Sequence, residues 1–131
     1  MKQTIWTLPV PSTALLHGCS FQKLPRRACA LSCEYEADDD QIVSLKLLFE
    51  GVEAFKCTYM HACTVEMIST AYDKVVDLGS SEWLNEVREQ LARHPDMDRG
   101  VEELRHLMIY FDDGPCYEFI CRTFRVEESS T

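Results

Sequence analysis

The chain has 131 residues and a formal net charge of −9, a length that suits a single domain able to bury roughly two-thirds of its unfolded surface without disulfide or metal. The charge is uneven: residues 1–33 hold Lys2, Lys23, Arg26 and Arg27 with no acid, a balance of +4, whereas 34–131 carry −13. An acidic body repels nucleic acid, and no run reaches the roughly 18 apolar residues of a membrane span, so neither a nucleic-acid partner nor membrane insertion is expected.

Ile5, Trp6, Leu8 and Val10 predict a short edge strand over 3–10, limited by Pro9 and Pro11. Residues 11–27 mix Pro, Ser and Arg with scattered apolar side chains and read as a long connection. Thus 1–27 is expected to be an irregular segment ahead of a core spanning 28–126. Leu16-His17-Gly18-Cys19 has the outline of a bacterial lipoprotein cleavage box. Two prolines interrupt the apolar stretch before it and His17 fits poorly beside the cleavage point, so no processed signal is expected.

From 28 to 36, Cys29, Leu31, Cys33 and Tyr35 alternate with polar or small residues, the period of a half-buried strand. Asp38, Asp39 and Asp40 form a solvated turn. Val43, Leu45, Leu47 and Phe49 continue the alternation, Glu50-Gly51 turns the chain, and Phe55, Cys57 and Tyr59 follow. Residues 28–60 are therefore expected to form a three-stranded antiparallel meander with one apolar face.

The period then changes. Val65, Ile68, Tyr72 and Val75 recur at helical spacing behind Thr64, predicting a helix over 64–77. Ser80 or Ser81 opens a second helix over 81–93, with Trp83, Leu84, Val87 and Leu91 on one side and Pro95 beyond its end. After a polar loop at Asp96–Gly100, residues 104–126 write a β-hairpin around Asp112, Asp113, Gly114 and Pro115. Leu107, Ile109 and Phe111 face one way and Met108 and Tyr110 the other, so these strands are expected to be central and covered on both sides; residues 127–131 read as frayed. Strands, two helices and strands in that order define an α+β class: an antiparallel sheet, meander plus C-terminal hairpin, with the helices inserted between. A β-sandwich with a helical insertion is the alternative.

Seven cysteines, at 19, 29, 33, 57, 63, 116 and 121, are an odd number with no C-x-x-C pair. They read as reduced thiols of a cytoplasmic protein, mostly small core residues. Cys29 and Cys33 on one strand face stand roughly 13 Å apart, beyond disulfide reach. Cys57, His61 and Cys63 gather near one strand end and suit a soft metal such as zinc, but no fourth ligand has recognisable spacing. Cys63, ahead of a helix and two residues from His61, is the best-placed thiol for covalent chemistry, yet no base or electropositive context accompanies it.

Tyr110-Phe111-Asp112-Asp113 has the form of the metal-binding turn of reverse transcriptases, but the third carboxylate and the large surrounding domain are missing, and Asp-Asp-Gly is ordinary turn chemistry. His61-x-Cys63 with Pro115-Cys116-x4-Cys121 loosely matches a zinc-deaminase signature. Cys63 stands where the proton-transfer Glu belongs, and a strand would send Cys116 and Cys121 to opposite faces.

Leu47-Leu48-Phe49-Glu50-Gly51-Val52 and the run from Leu104-Arg105-His106 to Cys116-Tyr117-Glu118 resemble small uncharacterised bacterial α+β proteins whose sheet ends in an aromatic hairpin with an acidic turn. Some small acidic proteins of that kind are immunity partners of secreted toxins, so the resemblance implies a fold and a binding role, without catalytic residues. The expectation is a non-enzymatic acidic protein, an immunity or regulatory partner of a basic protein, using Asp38, Asp39, Asp40, Asp112 and Asp113 and no cofactor. The alternative is a small enzyme or metal-binding protein centred on Cys57, His61 and Cys63.

Overall fold

The computed structural model describes residues 1–94, 100–112 and 114–130. Its elements in chain order are β1 (Gln3–Thr7), β2 (Leu16–Leu24), β3 (Ala28–Glu36), β4 (Ile42–Glu50), β5 (Ala54–Thr58), α1 (Val65–Ala71), β6 (Lys74–Asp77), α2 (Glu82–Ala92), β7 (Arg105–Tyr110), β8 (Cys116–Cys121) and β9 (Thr123–Ser130). The class is α+β, but with two antiparallel sheets instead of one. One has five strands in the order β1-β6-β7-β8-β5, the other four in the order β2-β3-β4-β9.

Alternation along the strands decides the layering. Leu31, Leu47 and Phe49 of the four-stranded sheet share one core with Leu107, Ile109 and Phe119 of the five-stranded sheet. Phe49 and Phe119 stack across the interface with ring centroids 3.9 Å apart. The opposite face of the five-stranded sheet is covered by the helices: Ile68 and Ala71 of α1 meet Met108, Tyr110 and Cys116, and Leu84, Val87 and Leu91 of α2 meet Ile120. β7 and β8 are thus buried on both faces and paired on both sides, as their continuous apolar runs demand. Cys116 and Cys121 point to opposite sides of β8, into different clusters. Among the described residues, no helix covers the outer face of the four-stranded sheet.

Four expectations are corrected. The supposed connection at 11–27 contains β2, paired to β3 from Leu16 to Leu24; a bulge at His17 and Gly18, both with positive φ, breaks the alternation that would have revealed it. The third strand of the expected meander leaves its neighbours: after Gly51 the chain crosses to the other sheet, where β5 pairs with β8. The helix expected over 64–77 ends at Ala71, and Tyr72-Asp73 turns the chain into β6 between β1 and β7. Val75 and Val76 then enter different clusters, as alternating strand residues do, and β-branching favours that outcome. Finally, residues 127–130, expected to fray, continue the strand as the end of β9, which pairs with β4 from Thr123 to Ser130. The helix at 81–93 and the hairpin through Cys121 are as expected, Ser81 capping α2 through Leu84 N–H at 3.1 Å.

Candidate functional site

Period-two alternation places most polar residues of the four-stranded sheet on its uncovered side, while Glu128 and Ser130, opposite Leu45 and Val43, take the parity of the core-facing rows at the end of the sheet. Pairing aligns Ser20 with Ser32, Ser32 with Lys46, and Lys46 with Glu127 in one row. A second row runs from Glu34 to Ser44 to Ser129. A groove of about 590 Å³ lies over these rows, with the bulge at His17-Gly18 on one side and Glu127 and Glu128 on the other.

Strand directions bring the acidic turn to the same end. β3 and β4 close at Glu36 and Ile42, and Val43 pairs with Ser130, so the turn holding Asp38, Asp39 and Asp40 adjoins the end of β9. Asp39 Oδ1 accepts from Gln41 N–H at 3.2 Å, Asp40 takes a left-handed φ of 64°, and Ala37 N–H donates to Gln41 O at 2.8 Å. The backbone therefore holds all three carboxylates outward, each exposed. Ser44 Oγ donates to Glu34, and Arg125 pairs with Glu127 at 2.7 Å. Among the described residues Glu36, Asp38, Asp40 and Glu128 make no ion pair. Against seven carboxylates at this end, the groove itself offers Lys46 and His17.

The other candidates separate. Asp112 belongs to the hairpin of the other sheet and is structurally engaged: Tyr72 O–H donates to its carboxylate at 2.6 Å and its own N–H donates to Ser12 Oγ at 2.8 Å. The hydrogen bond to that carboxylate first, and desolvation by burial next, push the Tyr72 hydroxyl up to about 12. Asp113 lies outside the described residues. Cys57 is exposed at an edge, opposite Tyr117 on the inter-sheet face. Cys63 packs on the helix-covered side against the cluster holding Cys116, its thiol within 3.5 Å of Thr58 O. His61 sits exposed in a 3₁₀ turn. No group of three potential metal ligands comes together among the described residues. All seven cysteines are free thiols, and no described helix is long and apolar enough to cross a membrane.

One constellation escaped the sequence reading. His106 and Glu118, 5% and 6% exposed, sit on the helix-covered face of β7 and β8. His106 Nε2 is 2.8 Å from Glu118 Oε1, and His106 Nδ1 is 2.8 Å from Ser81 Oγ. Trp83 meets the imidazole edge-on with centroids 5.1 Å apart, and Lys56 lies 4.0 Å above the Trp83 ring. A His and a Glu inside otherwise apolar strands were the available signal, since such residues are rarely buried unless paired.

Comparison with protein-family models, curated proteins and solved structures finds no match to this chain.

Proposed function

We propose that this protein is a binding protein that docks a basic segment of another protein onto the acidic end of its four-stranded sheet, in the manner of a toxin-neutralising or regulatory partner. The observation that carries the reading is the meeting of an open groove bearing serine hydroxyls with Glu36, Asp38, Asp40 and Glu128, exposed carboxylates without an ion pair among the described residues. Internal ion pairing and helix capping do not explain these charges, and they stand where strand pairing alone would be satisfied by neutral residues. A cationic partner gains attraction there and meets a groove with hydroxyls for orientation.

The test is association kinetics with a fluorescent lysine- and arginine-rich peptide. Replacing Asp38, Asp39 and Asp40 together by Asn keeps a side-chain acceptor at 39 and a residue tolerant of left-handed φ at 40. Association should slow by roughly tenfold at low salt, with the melting temperature unchanged, and the difference should shrink as ionic strength rises. A control removes the same charge elsewhere, by Glu86, Glu89 and Glu102 to Gln. Equal slowing by both variants would reduce the effect to net charge and sink the assignment of this surface.

A further inference from the structure

We propose that Ser81, His106 and Glu118 form a working nucleophile, base and positioning carboxylate, and that the protein hydrolyses small carboxylic esters at the N-terminus of α2. This stands apart from the acidic groove, on the other sheet. The geometry holds the three roles in sequence: a hydroxyl 2.8 Å from one imidazole nitrogen, and a carboxylate 2.8 Å from the other. Such constellations are recognised by roles and distances, whatever the fold or chain order.

Each part is positioned by the fold. Ionised Glu118 is an acceptor only, so it fixes the proton of the neutral ring on Nε2 and leaves Nδ1 free to accept from Ser81 O–H. Ser81 Oγ uses another lone pair for Leu84 N–H, which anchors the side chain in one orientation without occupying its proton. Glu82 and Trp83 are the first helical residues, and their N–H groups have no intrahelical acceptor. They supply donors, at the positive end of an eleven-residue helix, for an oxyanion formed beside Ser81. Trp83 of α2 packs edge-on against His106, and His106 and Glu118 are both buried, while Ser81 is only half-buried and Ser80 is exposed.

The substrate size follows from access. Ser81 is half-buried beside exposed Ser80, so a small acyl group reaches its Oγ, while the groove of about 570 Å³ beyond Gly79 and Ser80 is lined by Arg88, Arg105 and Arg122 and not by Ser81.

In the reaction Ser81 Oγ bonds to the acyl carbon as its proton passes to His106 Nδ1. Collapse of the tetrahedral species breaks the bond to the alkoxide, which takes that proton and leaves as the alcohol. Water then attacks the acyl-serine with the same base, returning the proton to Ser81 and releasing the acid, so one ester and one water become one acid and one alcohol.

The experiment uses the intact protein, a fluorophosphonate probe with peptide mapping, and p-nitrophenyl acetate turnover. Ser81→Asn keeps a helix-capping side chain but removes the nucleophile. Wild-type protein should be labelled at Ser81, and the Asn variant should lose turnover by roughly 100-fold or more while melting at the same temperature. Glu118→Gln can donate to Nε2 and so moves the ring proton to Nδ1; kcat should fall by at least about tenfold with KM unchanged, a split that a loss of packing would not produce. Folded wild-type protein without labelling at Ser81, or an Asn variant that retains full turnover, would overturn the proposal and leave the relay as a helix anchor.

Discussion

The cysteines illustrate how environment decides what a side chain does. Burial pushes Cys33 up to about 11 and Cys19 and Cys121 up to about 12, from an ordinary value of 9.0. These thiols are poor nucleophiles and good core atoms, which is why spacing alone identified their role better than any motif. The shifts also fix an alkaline dependence. A thiol whose folded value is raised stabilises the fold fully below the unfolded value, and that contribution disappears as pH climbs toward the folded value. Tyr117, raised to about 12 by burial, acts with the same sign. The urea midpoint should therefore hold steady from pH 7 to about 8.5 and fall progressively from pH 9 to 11; a midpoint still flat at pH 11 would contradict the burial of these groups. At this scale the acids were legible as types, whereas their separation was not: Asp38 to Asp40 stay exposed because a tight backbone turn leaves their side chains outward, while Asp112 is engaged by Tyr72 across a contact of forty positions.

Elements were readable where one face alternates against a single core, as in β3 and β4, and where apolar runs flank turn chemistry, as in β7 and β8. They were not readable where a strand takes its partners from distant chain. The end of β9, Glu-Glu-Ser-Ser, has almost no intrinsic strand signal and is held by its pairing with residues 43–46 of β4. The region after Thr64 is the instructive conflict, because Val65 and Val75 fit one helical face by spacing. In the fold Val65 is 83% exposed at the first position of α1, and Val75 is fully buried in β6. Val65→Ala should change stability by less than about 0.5 kcal/mol, whereas Val75→Ala should cost about 1.5–3 kcal/mol. Similar losses at the two sites, by denaturant titration, would restore the single-helix reading and remove β6 from the sheet.

Across the whole molecule, the chain passes between sheets three times, and two of these crossings, after β4 and after β8, are neighbouring corners. Arg122 ties them: its guanidinium donates to Gly51 O at 3.1 Å and to Glu53 at 2.9 Å, and Glu53 also accepts from Arg27. Bases of the N-terminal segment thus meet acids of the body, with Lys2 pairing Glu66 as well. The acidic end of the four-stranded sheet lies outside this compensation. Its turn and the end of β9 hold like charges close together, so self-repulsion there should oppose folding most strongly when little salt is present. Raising sodium chloride from about 10 mM, where the Debye length is about 30 Å, to 1 M, where it is about 3 Å, should raise the melting temperature of the native protein. In the Asp38, Asp39 and Asp40 to Asn variant that rise should be smaller, because three of the repelling charges are gone while the turn is intact. The control, with Glu86, Glu89 and Glu102 changed to Gln, should leave most of the salt response in place. An undiminished response in the aspartate variant would mean that the charges at this end do not act on one another, and the surface would lose the electrostatic concentration on which docking of a basic partner depends.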